Sequence, residues 1–151
     1  MKDSFYLHFE TMPKGTAQQK GETIRYRILN GKRVPYIHHF KADKISSARE
    51  GFEWKLKSHI PPRPSEAPIK LKVVFYFDLK QPKKAWGTYK TTKPDVDNFV
   101  KELIDAMSED EKRGKRGFWK NDSQIADLHI VKYYAEKATI YIEWEELEDG
   151  K

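Results

Sequence analysis

The sequence contains no cysteine among its 151 residues. This absence excludes disulfide bonds, thiolate–zinc sites and cysteine nucleophiles. No stretch approaches the roughly 18 consecutive apolar residues of a transmembrane helix, and the N-terminus lacks the apolar segment and cleavage site of a secretory signal. We therefore expect a protein of a reducing compartment, the cytoplasm, with no membrane partner.

Length and composition favour one domain with a strongly ionised surface. No segment has the composition of a linker, so we assign a single domain to residues 1–151, with 145–151 as a frayed tail. Apolar residues make up 38% of the chain and charged residues 34%, with a net charge of +6. Such a charge is compatible with nucleic-acid binding, because Lys and Arg neutralise phosphates, but a solvated basic surface explains it equally well.

Alternating apolar residues predict six strands. The clearest alternation runs from Ile69 to Leu79 and places every second side chain on one face. Two shorter strands flank Asn30-Gly31, a dipeptide typical of a tight hairpin turn. The six predicted strands are 5–9, 24–28, 34–37, 69–79, 125–134 and 138–144.

Apolar residues at helical spacing predict two helices. The first has Asp43 as its candidate N-cap and ends before the prolines that begin at Pro61; its apolar stripe is Ile45, Ala48, Phe52 and Leu56. The second begins between Asp95 and Asp97 and carries an apolar face of Val96, Phe99, Val100, Leu103, Ile104 and Met107. The order of elements predicts an α+β (mixed α/β) domain, in which both helices pack on a mixed sheet.

Three aspartates stand at boundaries between elements. Asp95 and Asp97 lie where an extended segment turns into the second helix, and Asp122 precedes a predicted strand. Magnesium in phosphoryl chemistry is typically held by one or two carboxylates together with substrate phosphates and water. In a basic chain, these three carboxylates indicate a magnesium site that acts on a polyanion, as in a nuclease.

The same residues have a structural interpretation. An aspartate at a helix start commonly caps free N–H groups, although Asp95 and Asp97 would be redundant in that role. Lys101 lies one turn beyond Asp97, where it is either a surface ion-pair partner or a cation beside the scissile phosphate. Asp122 is equally suited to a turn beside Asn121.

Two basic loops are candidates for DNA contact. In the first, aromatic residues alternate with lysines, a composition suited to stacking on bases and pairing with phosphates. The second is a tract of four cations that also contains Gly114 and ends at Gly117. Either loop is alternatively a solvated surface, with Trp86 folded back on the core. The candidates are Lys83, Lys84, Trp86, Tyr89, Lys90 and Lys93 in the first loop, and Lys112, Arg113, Lys115 and Arg116 in the second.

The acidic motifs resemble those of the RusA family of Holliday-junction resolvases. Residues 93–101 read KPDVDNFVK and residues 118–125 read FWKNDSQI, similar to the family's K-P-D-x-D-N-x-x-K helix start and W-K-D-D-x-Q strand entry. The specific part of the resemblance runs from Tyr89 to Trp144. The segments 89–92 (YKTT) and 16–18 (TAQ) are similar to a subgroup common in phages and prophages of bacteria.

The resemblance implies a homodimeric, Mg²⁺-dependent endodeoxyribonuclease, with Mn²⁺ as a possible substitute, that cuts opposed strands of a four-way junction in DNA recombination and repair. It implies that Asp95, Asp97 and Asp122 bind the metal and that Lys101 is catalytic. It also implies a cytoplasmic protein, bacterial or phage-encoded, that is associated with the nucleoid. The chain departs from the family pattern at Asn121, where the family has aspartate, and in a longer loop at 108–116.

Two alternatives to this interpretation remain open at the level of sequence. One is a junction-binding protein whose catalysis is weakened, for which Asn121 is the only support. The other is a small structural or assembly protein in which the aspartates are only caps. Nuclease activity on branched DNA is the prediction that accounts for all four of Asp95, Asp97, Lys101 and Asp122.

Overall fold

The computed structural model describes residues 1–14, 20–41 and 47–148, which form a four-stranded sheet, a separate β-hairpin and two α-helices. The fold is α+β, as predicted. The strands are β1 (Lys2–His8), β2 (Lys20–Leu29), β3 (Lys32–Lys41), β4 (Ile69–Asp78), β5 (Ile125–Ala135) and β6 (Thr139–Glu146), and the helices are α1 (Ser47–Leu56) and α2 (Val96–Met107).

The four-stranded sheet has the order β1-β6-β4-β5 and is mixed. β4 runs parallel to β5 and antiparallel to β6, and β6 runs antiparallel to β1. β5 and β6 follow each other in the chain through a short turn, yet β4 lies between them. β4 has the most apolar inner face of the sheet, so a central position buries it between two hydrogen-bonded neighbours.

The core lies between the inner face of the sheet and the helices. Ile69, Leu71, Val73 and Phe75 of β4 are fully buried, as are Ala48, Phe52 and Leu56 of α1. Phe99 of α2 lies at the centre, with its ring centroid 4.8 Å from that of Phe75 and 5.5 Å from that of Phe52. This packing fixes which face of α2 is buried and which is exposed.

β2 and β3 form the predicted hairpin across Asn30-Gly31. Both turn residues have positive φ, 52° for Asn30 and 77° for Gly31, which is the requirement of a tight primed turn. None of the described side chains of this hairpin belongs to the hydrophobic core. The hairpin therefore stands apart from the four-stranded sheet.

The predicted frayed tail at 145–151 is wrong at its start. β6 continues through Glu146, whose backbone N–H donates to the Met1 carbonyl at 2.9 Å, while Leu147 N–H donates to the Pro68 carbonyl at 2.7 Å. The sheet holds these residues because β1 and β4 both pair with this end of β6. Residues 149–151, like the candidate cap Asp43 and the stripe residue Ile45, lie outside the described residues.

Among the described helices, none is long and apolar enough to cross a membrane.

Glu53 of α1 binds the loop that follows α2. Arg113 donates two N–H groups to its carboxylate, at 3.0 and 2.8 Å, and the Lys115 ammonium lies 3.4 Å from it. Burial alone would raise the pKa of Glu53, but the hydrogen bonds and charges of Arg113 and Lys115 outweigh burial and lower that pKa. Charge-assisted hydrogen bonds therefore hold the loop against α1.

Lys115 also caps the C-terminal end of α2. Its ammonium donates to the carbonyl oxygens of Asp105 at 3.0 Å and Ala106 at 2.9 Å. A cation at this position is favourable because the last carbonyls of a helix carry partial negative charge. The contact joins α1, the loop and α2 into one unit beside the acidic motifs.

We expect Glu53→Gln to lower the free energy of unfolding by about 1.5–3 kcal/mol at neutral pH, the magnitude of hydrogen bonds to a charged group. Because folding lowers the pKa of Glu53 from 4.5, its contribution is complete above that pH and is lost as the pH falls below it. Urea unfolding at pH values above and below 4.5 measures the free energy of unfolding of variant and wild type. Glu136→Gln, in an exposed turn, is the matched control, and equal losses in both variants would contradict the prediction.

Candidate nuclease site

Asp95 is the N-cap of α2 but does not use its side chain for capping. The Asp95 carbonyl accepts the Phe99 N–H at 3.0 Å, whereas the carboxylate makes no capping hydrogen bond. Among the described residues, no hydrogen bond or ion pair engages the carboxylate of Asp95 or Asp97. The capping interpretation therefore lacks support at Asp95, and both carboxylates are available to a ligand.

One side of α2 carries a row of charged residues, of which Asp97 and Lys101 are exposed and Asp105 is half-buried. Asp97, Lys101 and Asp105 are spaced by four residues, so they follow one another along one side of the helix. The direction in which the row faces follows from the opposite side of α2, where Phe99 and Leu103 are fully buried. Lys101 thus lies between two carboxylates, one turn from each.

The segment before β5 presents Asp122 next to this row. Trp119 is fully buried, and its indole N–H donates to Ser108 Oγ at 2.9 Å. The Phe118 N–H donates to the Met107 carbonyl at 2.7 Å. These bonds attach the segment to the end of α2, so the position of Asp122 relative to the helix is fixed by buried groups.

Asn121 and Gln124 form a capping box around the 3₁₀ turn that contains Asp122. Asn121 Oδ1 accepts the Ser123 N–H at 3.0 Å, and Gln124 Oε1 accepts the Asn121 N–H at 2.9 Å. Gln124 Nε2 also donates to the carbonyls of Ser65 and Ala67, both at 2.9 Å. Both side chains are thus committed to holding the turn.

Asp105 is an acidic residue of α2 that the sequence motifs do not assign to the site. It lines a cavity of about 280 Å³ together with Asp122 and Arg49. Burial raises the pKa of Asp105; Arg49 and Lys101 act to lower it, and the charges of Asp122 and Glu102 act to raise it. The position four residues beyond Lys101 was the available signal.

Asp95 lines a second cavity, of about 620 Å³, with Lys90, Lys93 and Asn98. Lys132 of β5 holds the backbone segment that precedes Asp95. Its ammonium donates to the carbonyls of Thr92 at 2.9 Å and Pro94 at 2.7 Å. Lys132 is a positioning residue that sequence reasoning missed. Its place between Ile130 and Tyr134 on the inner face of β5 was the signal that could have found it.

The described carboxylates do not form a ready-made metal cluster: no three His, Asp or Glu side chains in residues 1–14, 20–41 and 47–148 lie close enough to hold an ion together. Asp95 and Asp122 line separate cavities. The donor chemistry nevertheless suits Mg²⁺, because all candidates are carboxylates and this ion keeps several waters while taking few protein ligands.

The first basic loop presents its candidates unequally. Trp86 is half-buried, and its indole N–H donates to the Leu79 carbonyl at 2.7 Å. Tyr89 is 69% exposed and stacks on Tyr133 with ring centroids 5.1 Å apart. The geometry favours a structural role for Trp86 and base stacking for Tyr89, while DNA contact by either residue stays a prediction.

The four lysines of this loop also differ in their contacts and exposure. The ammonium of Lys90 donates to Thr92 Oγ1 at 2.6 Å and lies over the rings of Phe77 and Tyr134. The remaining three are exposed, and of these Lys93 borders the cavity of Asp95. The exposed lysines are Lys83, Lys84 and Lys93.

The second basic loop is largely engaged within the protein. Arg113 and Lys115 bind Glu53, and Arg116 donates to the Pro61 carbonyl at 2.9 Å. Lys112 is exposed in the turn. The internal contacts favour a structural role for Arg113 and Lys115, and DNA contact by this loop stays a prediction.

Comparison with known proteins identifies relatives over most of the chain. A family model described as Endodeoxyribonuclease RusA matches residues 12–145. The chain is 34% identical over 145 residues to a crossover junction endodeoxyribonuclease of Lactococcus phage r1t, covering 95% of this chain and 97% of that protein. It is also 40% identical over 52 residues to the uncharacterized protein YqaN of Bacillus subtilis (strain 168), covering 34% of this chain and 32% of that protein.

We expect Asp105→Asn to raise the melting temperature at neutral pH. Burial raises the pKa of Asp105 above 3.8, so its ionised form costs stability at neutral pH, and the cost disappears as the pH falls through the raised pKa. Thermal unfolding at neutral and at acidic pH measures the difference in melting temperature between variant and wild type. Asp127→Asn, on an exposed strand position, is the control; a destabilised Asp105→Asn at neutral pH would contradict the prediction.

Proposed function

We propose that this chain, which belongs to the RusA family of endodeoxyribonucleases, resolves four-way DNA junctions by paired, Mg²⁺-dependent hydrolysis of phosphodiester bonds. Endodeoxyribonuclease activity follows from membership of the family. The junction as substrate is supported by the name of the phage relative, which is 34% identical over nearly the full chain.

One observation carries the proposal beyond family membership. Asp95 and Asp97 begin α2 with carboxylates that no described protein group engages, while buried bonds from Trp119 fix the segment of Asp122 against the end of the same helix. Both carboxylates are exposed, so they can take up a hydrated divalent cation without first breaking a contact within the described protein. An acidic helix face of this kind is suited to a divalent cation and a phosphate.

The chemistry is assigned to four side chains. Asp95, Asp97 and Asp122 would hold Mg²⁺, which when bound screens the phosphate charge and lowers the pKa of an attacking water. Lys101 lies one helical turn from Asp97 and one from Asp105 on α2, where its ammonium would stabilise negative charge that develops on the scissile phosphate. Asp105 extends the acidic surface beside Asp122.

DNA contacts outside the reacting phosphate are assigned first to the loop before α2. Lys93 borders the cavity of Asp95, and Lys83 and Lys84 are exposed nearby in the chain. Tyr89 offers an exposed ring already backed by Tyr133. A backed ring loses little freedom when a base stacks on it, so Tyr89 is the better stacking candidate.

A homodimer is part of the proposal, because two identical sites related by a two-fold axis match the symmetry of a four-way junction. We place its activity in DNA recombination or repair, in a bacterial cytoplasm or in a phage-infected cell. The alternative, a junction-binding protein with weakened catalysis, rests on Asn121. The Asn121 side chain is engaged in the capping box, so the substitution leaves the local scaffold of Asp122 intact.

We expect the purified protein with Mg²⁺ to convert a labelled four-way junction into nicked duplexes and to leave linear duplex of the same sequence uncut. Selectivity is expected because paired active sites engage two opposed strands only at a branch. Gel analysis of cleavage products, with EDTA replacing Mg²⁺ as a control, decides the matter. Equal cutting of both DNAs would exclude junction selectivity.

The carboxylates are expected to separate cleavage from binding. Asp95→Asn, Asp97→Asn and Asp122→Asn should each abolish cleavage, because an amide holds Mg²⁺ poorly, while junction affinity is retained or increased as negative charge is removed. Cleavage and gel-shift assays on the same preparations measure both. Asn121→Asp is the matched control and should keep activity, since aspartate also accepts the Ser123 N–H. Loss of binding together with loss of fold would favour the capping role instead.

A further inference from the structure

The β2–β3 hairpin carries almost all of the excess positive charge of the protein. Residues 20–41 contain six Lys and Arg and one Glu, a difference of +5, in a chain whose net charge is +6. The remaining 129 residues are therefore close to neutral. A field that is concentrated on one projecting element steers polyanions to that element.

The two faces of the hairpin differ in chemistry. Residues that stand opposite each other in the antiparallel register share a face. Arg25 pairs with Tyr36, Arg27 with Val34 and Leu29 with Lys32, which makes one face basic. Ile24 pairs with Ile37, Tyr26 with Pro35 and Ile28 with Arg33, which makes the other face mainly apolar. We call these the basic face and the apolar face.

Four cations of the hairpin have described side chains, and none of these four is committed to a carboxylate of the described residues. Within the described part of the chain, no ion pair involves Arg25, Arg27, Lys32 or Arg33. Two of them lie over rings of the hairpin itself: Arg27 over Tyr36 at 5.4 Å, and Arg33 over Tyr26 at 4.1 Å. Some cations of the body do bind a carboxylate: Arg113, Lys115 and Lys120 each bind a glutamate.

In the chain, the hairpin is flanked on both sides by residues that line the cavities of the candidate nuclease site. Lys14, which lines the cavity of Asp95, precedes β2 by six residues, a separation of at most about 22 Å. Arg49, which lines the cavity of Asp122, follows β3 by eight residues. Strands of ten residues extend about 34 Å, so the hairpin can reach DNA well beyond the cleaved phosphate.

We propose that this hairpin is a DNA-binding arm that holds the branch point of the junction: the basic face contacts backbone phosphates, and the apolar face packs against base pairs that the branch leaves unstacked. The proposal rests on the proposed function, because it assigns a further contact to the same substrate. A two-stranded ribbon fits the major groove.

The apolar face supports a branched rather than a plain duplex ligand. Ile24, Ile28 and Ile37 are 65%, 76% and 60% exposed, an arrangement that is unfavourable in water and marks a binding surface. Proteins that bind distorted DNA insert apolar side chains between base steps. A linear duplex exposes no base-pair face along its length, whereas an open branch point exposes the end base pairs of four duplex arms.

The test compares two double variants in junction and duplex binding with EDTA present, so that no strand is cut. Arg25→Gln with Arg27→Gln should make the slope of log K against log salt concentration shallower by about 0.9 for each duplex phosphate that is no longer neutralised. For each such phosphate, the loss of junction affinity between 0.1 and 1 M salt is then about eightfold smaller than in the wild type. Ile24→Ser with Ile37→Ser should leave the salt slope unchanged and remove the preference for junction over duplex.

Three controls accompany these variants. Arg63→Gln with Lys137→Gln removes the same charge from exposed positions outside the arm and should leave the slope unaltered. Arg25→Lys with Arg27→Lys keeps the charge and should keep the slope. Circular dichroism and thermal unfolding verify that each variant remains folded. A variant of the basic face that matches the Arg63 and Lys137 control would overturn the proposal.

The outcomes also separate this proposal from its premise. If wild type binds and cuts junctions while the basic-face variant keeps the full salt slope, the arm is excluded and the nuclease function stands. If wild type binds no branched DNA, both fail. Light scattering addresses a second copy of the chain as the occupant: conversion of a dimer to a monomer by Ile24→Ser with Ile37→Ser, with junction preference unchanged, would assign the apolar face to dimerisation instead.

Discussion

The packing of Phe99 is the interaction on which the site depends. Its ring lies against Phe52 of α1 and against Phe75 and Phe77 of β4, so one side chain joins both helices to the centre of the sheet. Full burial of such a ring contributes about 1.5–3 kcal/mol. Because Phe99 can face only the core, the rotation of α2 about its axis is fixed, and Asp97 and Lys101 are held on the exposed side.

The second motif depends on buried hydrogen bonds rather than on helix rotation. Trp119 bonds Ser108 at the end of α2, and Gln124 bonds the backbone at Ser65 and Ala67. The polar residues around Asp122 are therefore structural, while Asp122 itself is exposed at the turn. Asp105 beside it has a raised pKa, so the fold tolerates an unfavourable carboxylate there, as functional sites commonly require.

The distribution of cations separates the body from the hairpin. In the body, Arg113 and Lys115 bind Glu53 and stabilise the fold, whereas the hairpin has cations on an element that contributes no described side chain to the core. A two-stranded hairpin is marginally stable in isolation. A concentration of positive charge on an element with so little packing is therefore better explained by binding than by folding.

Local pattern in the sequence determined the strands, the two helices, the Asn30-Gly31 turn and the aspartates at element boundaries, because side-chain periodicity and turn chemistry act between residues close in the chain. The tertiary structure alone decided that β4 separates β5 from β6, that Lys132 holds the carbonyls before Asp95 and that Asp105 lies beside Asp122. It also decided that Arg113 and Lys115 bind Glu53 rather than facing solvent as a simple basic tract. These features depend on which distant segments pack together, and that choice minimises exposed apolar surface over the whole chain, which no local window of sequence records.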